Sequence, residues 1–451
     1  MYRRRRRSLT LAAASTILLL LPAQAVASTH AQGKSAAPRY LGSLDDSRPQ
    51  QVNATSETLK AKPAGEMCTP TDPGSPDRRA GVAETCTAIT PAALKPSTAA
   101  KMPSATTAQA DEEVCTVSKP GYWHFERLGS CLREMSVKFT LRGEHQEELG
   151  SAFLFVSSNA KLNPRSGTWT ESIAVEFADP KGITSLNVAA DVSCTSQCTA
   201  TQKFPWTGAK TLIDNGVLAE GSVTYSNVPA IDKTDFSTMQ YHLYITHTGS
   251  MPTKPNVDWE NPNQVRCNSH LTDLGNTSTG CVDNTIPQPD LEMPISKYGA
   301  AAVTYGWAQW NLKDKWGLYS GSPMTRATNG KDRREFTCGS KSSDPFEYMP
   351  DTEVVNDSCD EFPFASTEQG GNDGALCAEI VPRLQGNGKY TISEAWDDRP
   401  VTGQEPCVRG HVNLGLNTTA GSAYSRYIQD WRLIDKDPFH FSVPDYFDMV
   451  E

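Results

Sequence analysis

Positive charge is in short supply in this 451-residue chain: 42 Lys and Arg stand against 52 Asp and Glu, for a net charge of −10. That deficit excludes polyanion binding through a broad basic surface, so a nucleic-acid ligand would need cations gathered locally. Histidine is scarce too, with 8 residues, and only His411 and His440 lie beyond residue 290. The pair Cys194 and Cys198 tempts a zinc reading, but no histidine or second cysteine pair follows at ligand spacing, so it reads as a local disulfide. No apolar run after residues 9–21 is long enough to span a bilayer, and that run is itself short for a span. The mature protein is therefore expected to be soluble, with no membrane contact. Residues 28–110 have few aromatics and are rich in Ala, Pro, Ser and Thr. Such a segment cannot bury enough apolar surface to offset its ordering entropy. It is expected to be a disordered spacer or pro-segment, with Cys68 and Cys86 available to close a small loop.

The start of the chain carries its own logic. Residues 3–7 are arginines, residues 9–21 are apolar, and Ala25-Val26-Ala27 forms an A-x-A cleavage site. This order predicts a signal peptide over 1–27 and a secreted, extracellular product. The basic run then belongs to the leader and says nothing about nucleic acid. Twelve cysteines, an even count in an exported protein, read as disulfides.

Residues 111–250 change character. Stretches at 135–141, 172–177 and 241–246 alternate apolar and polar residues and are separated by Gly, Pro, Asn and Asp. That pattern predicts an all-β sandwich-like domain. His145, His242 and His247 are scattered through it as strand or loop residues. Residues 251–290, heavy in Pro and Asn, read as a linker pinched by Cys267 and Cys281. From 291 the pattern is mixed. Ser296 is positioned to cap an alanine-rich helix over 300–310, and residues 329–334 suggest a short helix carrying Arg333 and Arg334. A polar loop is expected over 386–406 and a strand over 408–414. Tyr424, Tyr427, Ile428 and Trp431 recur at helical spacing. Residues 439–443 read as a strand and 444–451 as a tail. The expected fold class is multidomain: the all-β sandwich-like middle domain, then a small α+β domain over 291–443.

Two features of this last part carry chemistry. Residues 359–371 read Cys-Asp-Glu-Phe-Pro-Phe-Ala-Ser-Thr-Glu-Gln-Gly-Gly. Phe362 and Phe364 would anchor a proline corner, which fixes the acids Asp360, Glu361 and Glu368 as a metal or general-base site requires. Asp360 and Glu361 are adjacent, so in extended chain they face opposite ways and one of them reads as structural. Residues 417–422, Asn-Thr-Thr-Ala-Gly-Ser, read as a turn opening a helix, where unpaired amides and the helix dipole favour an anion. Thr418 or Thr419 serving simply as a cap is the other reading. Oxygen donors suit Mg2+, Mn2+ or Ca2+ rather than Zn2+. His411, just before the turn, is the better placed of the two late histidines for a general base.

These two segments, in this order, closely resemble the signatures of the NucA/NucB-type secreted bacterial deoxyribonucleases, and the Ile295-Ser-Lys-Tyr298 entry is similar to that family's opening segment. The resemblance spans 291–443. It implies a monomeric hydrolase, an endonuclease or exonuclease, that cleaves DNA phosphodiesters with little sequence preference and a divalent cation, Mg2+ or Mn2+. Carried over, it places Asp360, Glu361 and Glu368 at the catalytic corner, with Asp360 and Glu368 as cation ligands, Glu368 foremost, and Asn417 and Ser422 at the substrate phosphate, where Gly421 by its own lack of a side chain lets an anion approach the backbone. Where the family often reads Glu-Glu-Gly-Gly, this chain has Gln369; where the family often has Arg and Gly, it has Thr418 and Thr419. Phosphate contact then falls to Arg333, Arg334 or Arg426. The alternative is a non-catalytic surface protein, with the β-domain binding cell-surface or wall polymer and a degenerate nuclease domain.

Overall fold

The structure, a computed structural model, describes residues 56–62, 64–90 and 119–451. The expected signal peptide lies outside the described residues, as do 28–55 and 91–110 of the expected disordered stretch.

Among the described residues, sixteen strands build the β-rich part. They begin with β1 (Ser56–Lys60), β2 (Ala64–Pro70) and β3 (Glu84–Thr90), with helix α1 (Pro76–Arg79) between the last two. Next come β4 (Tyr122–Glu126), β5 (Gly129–Arg142), β6 (Glu148–Lys161), β7 (Thr168–Lys181) and β8 (Ser185–Cys194). β9 (Thr199–Gln202), β10 (Lys210–Ile213), β11 (Ala219–Ser226) and β12 (Thr234–Ser237) are followed by β13 (Met239–Thr246). β14 (Val257–Glu260), β15 (Val265–Asn268) and β16 (Gly280–Asp283) complete the set. A nine-stranded sheet runs β1-β4-β5-β6-β7-β11-β9, with β2 and β3 joined through β5, and a four-stranded sheet runs β10-β8-β13-β14. Alternation decides which face is covered: Met239, Tyr241, Leu243 and Ile245 of β13 are buried while the residues between them are half-buried. Leu154 and Val156 of β6, Val175 and Phe177 of β7, and Val188 of β8 meet them in one core. The expected all-β middle part is therefore present.

Two expectations are corrected here. Residues 56–62 and 64–90 are ordered, although their composition is poor in apolar groups. β3 pairs along its length with β5, Cys68–Cys86 clamps β2 to β3, and buried Asp77 receives His247 Nδ1 at 2.8 Å. Edge pairing and covalent closure replace the missing apolar burial. Residues 251–290 are likewise no plain linker. They supply β14, β15 and β16, and the expected Cys267–Cys281 disulfide joins β15 to β16.

The C-terminal part opens with β17 (Leu291–Glu292), α2 (Ile295–Tyr298) and α3 (Ala300–Asn311). Gly299, at φ 55°, and not Ser296, stands at the N-cap of α3; Ser296 lies inside α2, which Pro294 precedes. β18 (Met324–Thr325), α4 (Gly330–Thr337), β19 (Asp357–Phe362), β20 (Ala378–Leu384), β21 (Tyr390–Glu394) and β22 (Val408–Asn413) follow. The chain ends through α5 (Leu414–Asp430), β23 (Pro438–Phe439), β24 (Phe441–Ser442) and α6 (Tyr446–Met449). A four-stranded sheet, β19-β22-β20-β21, mixes antiparallel and parallel pairs. α3 is buried on nearly every side because the sheet covers one face and the end of the chain covers another. Gly306 makes this possible: a Cβ there would stand 2.3 Å from the Tyr446 ring. The expected tail is thus a packed helix, and β21 occupies part of the expected polar loop.

Both cores, β-rich and α+β, lie in one compact body. Buried arginines cross between them. Arg266 grips Asp437 at 3.0 and 2.8 Å, and Arg326 grips Asp273 at 2.8 and 2.7 Å. Disulfides Cys194–Cys198, Cys338–Cys359 and Cys377–Cys407 join the two already named. No helix among the described residues is long and apolar enough to cross a membrane.

Candidate active site

The proline corner is built as its residues dictate. β19 ends at the cis peptide Phe362–Pro363. Phe362 and Phe364 pack on Tyr305 and Phe441, and Phe364 stacks on Tyr424. The two acids before the corner are thereby held at the floor of a cleft of about 800 Å³. α3, α4, β19 and α5 all contribute to its walls, including Tyr305, Lys331, Arg334, Ser366 and Arg426.

Asp360 is 3 % exposed. Its Oδ1 accepts from the Tyr305 hydroxyl at 2.8 Å. Its Oδ2 is buried and has no hydrogen-bond partner among the described residues. Burial, reinforced by the neighbouring Glu361 charge, pushes its pKa up to about 8, against the opposing pull of Tyr305 and Arg334. Glu361 is 6 % exposed. Burial raises its pKa, and Arg334, whose guanidinium contacts Oε2, offsets part of that rise. Arg334 also donates to the Cys359 carbonyl at 2.6 Å. Adjacent acids on an extended strand thus have partners on different elements: Asp360 on α3, Glu361 on α4. Both nevertheless line the cleft.

Asn417, Gly421, Ser422 and Arg426 also line it, but not as a helix-opening turn. α5 begins earlier, and Asn413 caps it by accepting from the Gly415 amide at 2.9 Å. The Leu414 amide donates to Asn356 O. The first two entry amides therefore have protein partners, and residues 417–422 are helix. Asn417 Nδ2 donates to Ser358 Oγ at 3.1 Å and to the Cys359 carbonyl at 2.8 Å, tying α5 to β19. Nothing lies within 4 Å of where a Gly421 Cβ would be, so the helix surface is bare there and open to a ligand.

Three predicted residues stand elsewhere. Glu368 is not among the cleft-lining residues; its carboxylate accepts from Arg333 Nη2 at 2.6 Å. Arg333 also donates to the Gly370 carbonyl at 3.0 Å and to Asn329 Oδ1 at 2.7 Å, so it staples the loop after the corner. His411 is buried, with Nδ1 2.7 Å from Asp357 and Nε2 3.0 Å from Glu379. Neither nitrogen is free to act as a base towards the cleft.

That arrangement makes His411 a stability element. Burial alone would lower its pKa, but the hydrogen bonds and charges of Asp357 and Glu379 raise it above the usual value. A raised folded-state pKa means the imidazolium's contribution is complete below about 6.5 and is lost as pH climbs through the folded value. The melting-temperature gap between wild type and His411→Asn is expected to be wider at pH 6 than at pH 9. A constant gap would show that charge plays no part.

Sequence reading missed Tyr305, hidden in an alanine-rich core helix, and Arg165, a β-domain residue on the cleft wall. It also gave no sign of a row across β8, β13 and β14, where His242 lies 3.1 Å from Ser193 Oγ and 2.7 Å from Asp258. Ser193 also faces Gln240 at 3.2 Å. The row sits on the open outer face of paired strands whose amides are engaged in the ladder. It reads as a cross-strand hydrogen-bond row, because acyl transfer needs aimed oxyanion donors as well.

Which groups could hold a cation follows from this geometry. Asp360 Oδ2 is a buried carboxyl oxygen at the cleft floor with no hydrogen-bond partner among the described residues, free to give a lone pair to a cation, and Glu361 is beside it. The grouping of Cys338, Cys359 and Glu361 offers no thiolate, since the two sulfurs form a disulfide. The family model of deoxyribonuclease NucA/NucB matches residues 316–388. The match contains α4, β19, the proline corner and Glu368, and it bears out the resemblance in the C-terminal region; α3 and α5 lie outside it. No curated protein and no solved structure matches the chain.

Proposed function

We propose that this chain, whose residues 316–388 match deoxyribonuclease NucA/NucB, is a secreted nuclease that hydrolyses DNA phosphodiesters with the help of a divalent cation, Mg2+ or Mn2+. The observation that carries the reading is the unpartnered, buried Asp360 Oδ2, next to Glu361, under a rim of Lys331, Arg334 and Arg426. The rim answers the charge objection, since these cations stand where an anionic backbone would enter. Asp360 and Glu361 would hold the cation. When bound, it supplies positive charge at the phosphate and lowers the pKa of water. Tyr305 fixes the rotamer of Asp360, and Arg334 fixes Glu361. Arg426 and Ser422 meet phosphate oxygens from α5. Buried oxygen donors suit Mg2+ or Mn2+ better than a soft metal.

The departures from the family pattern do not dismantle this cleft. Gln369 accepts from the Thr325 amide at 2.8 Å and is not a lining residue. Its neutrality therefore removes no acid from the floor, which weakens the non-catalytic alternative.

The deciding experiment is plasmid digestion by the secreted full chain with Mg2+ or Mn2+, against an EDTA control. A folded protein that cuts under no divalent ion ends the proposal. The same assay ranks the acids. Glu361→Gln is expected to lose on the order of 100-fold or more. Glu368→Gln, which alters only an exposed ion pair with Arg333, is expected to stay within about 10-fold of wild type. Equal losses in the two variants would return Glu368 to the site.

A further inference from the structure

We infer that the β-rich part is a working wall of the nuclease cleft, and that Arg165, on the turn between β6 and β7, is a substrate-positioning residue that contacts a backbone phosphate beyond the one being cleaved. The inference rests on the nuclease reading above.

Arg165 lines the cleft together with Arg426 and Gln429 of α5. Its Nη2 meets Asp430 Oδ1 at 2.5 Å, at the end of that helix. The Arg165 side chain remains about half exposed, 53 %, so it is available to a ligand. An exposed pair of this kind is weak enough to be exchanged for a phosphate.

The turn that carries Arg165 is held firmly from both sides. The Cys281 amide donates to Asn163 O at 2.8 Å, and the Arg165 amide donates to Asn163 Oδ1 at 2.9 Å. From the C-terminal part, Arg432 Nη1 reaches Pro164 O at 3.4 Å. Gly280 lets the turn come this close: a Cβ there would stand 1.9 Å from Pro164 O. A guanidinium on a pinned turn costs less entropy to engage than one on a free loop. With Lys331 and Arg334 on α4 and Arg426 on α5, Arg165 gives the cleft cations from three separate elements. The corner acids line the same cleft near Asn417, at the start of α5, whereas Arg165 pairs with Asp430 at the end of that helix. A single phosphodiester at the acids does not call for a cation on the far rim, whereas a polymer with a charge at every residue does. The chemistry recognised is therefore a nucleic-acid backbone rather than a mononucleotide.

The test uses the full chain. Binding of a 30-base-pair duplex is measured without divalent cation between 50 and 200 mM salt. Arg165→Ala is expected to weaken binding several-fold and to reduce the salt slope by about 1. In cleavage, the loss is expected on KM rather than kcat, and Arg165→Lys is expected to recover part of it. Asp430→Asn, which frees the guanidinium, is expected to tighten binding about two-fold. An unchanged salt slope in Arg165→Ala, in a wild type that binds and cuts, overturns this inference alone. A wild type that neither binds nor cuts DNA overturns the nuclease reading and this inference with it.

Discussion

Replacing Asp360 with asparagine is expected to stop DNA cleavage and, in the same protein, to raise the melting temperature at neutral pH. The two effects have one cause. Asp360 is buried, one of its oxygens has no partner, and its pKa stands at about 8. An unfolded aspartate ionises near 3.9. Between these values the unfolded chain gives up a proton that the folded protein keeps, so wild-type stability falls as pH rises from about 4 to about 8. Asparagine has nothing to ionise, and its carbonyl can still accept from Tyr305. The variant's advantage should be absent near pH 4, grow through neutrality and level off above about 8, with roughly 5 kcal/mol as the ceiling that the gap between the two pKa values sets. Activity should fall about 100- to 10,000-fold, as expected for losing a positioned base or cation ligand. Thermal melts across pH check the first half and initial rates the second. A third reading separates the causes: Mg2+ or Mn2+ should raise the melting temperature of wild type but not of Asp360→Asn. A variant less stable than wild type at pH 8 would mean the carboxylate is held by interactions stronger than its burial.

Stability sacrificed at one carboxylate is the kind of local conflict that sequence patterning exposes only in part. The corner itself was legible, because two phenylalanines around a proline must go into a core and they carry Asp360 and Glu361 with them. Glu368 looked equal to them in the string. What separated it was Arg333, four residues after Asn329 on α4, a partner that only the fold brings near. Residues 417–422 were legible as belonging with the corner, but their role was not. The cap lies at Asn413, whose side chain accepts from the Gly415 amide while Asn356 O takes the Leu414 amide, so residues 417–422 lie inside the helix and offer side chains and a bare Gly421 surface. In the β-rich part, strands with strict alternation were plain. β14, β15 and β16 were not, because each is four residues long and they carry buried polar groups such as Asn268 and Asp283 in place of an apolar stripe. Arg165 has no sequence signal at all. Its position depends on Gly280 and Arg432, more than a hundred residues later.

Arg432→Ala is expected to be the most damaging single change outside the cleft. Arg432 is fully buried, yet no carboxylate among the described residues pairs with it. Nε donates to Asn268 Oδ1 at 3.0 Å, and Nη2 donates to the carbonyls of Asn268 at 2.5 Å and Ser278 at 2.6 Å. Burial, with Arg266 and Arg326 nearby, lowers its pKa to about 10, so it still carries charge at neutral pH. Alanine would take the donor from the buried Asn268 carbonyl and leave Asn268 Oδ1 with only the His270 amide at 3.4 Å, at roughly 1–3 kcal/mol each before relaxation. A net loss of about 3–5 kcal/mol is expected, read as a fall in melting temperature on the order of 10 °C. Arg432→Lys should recover little, since one ammonium on a flexible stem cannot reproduce a planar fork that serves acceptors in several directions. Because the same side chain pins Pro164, duplex binding should weaken at temperatures where the variant is still folded, and a second substitution, Arg165→Ala, should then add little. Additive losses in the double variant would show that Arg432 holds the two parts together without holding Arg165 in place.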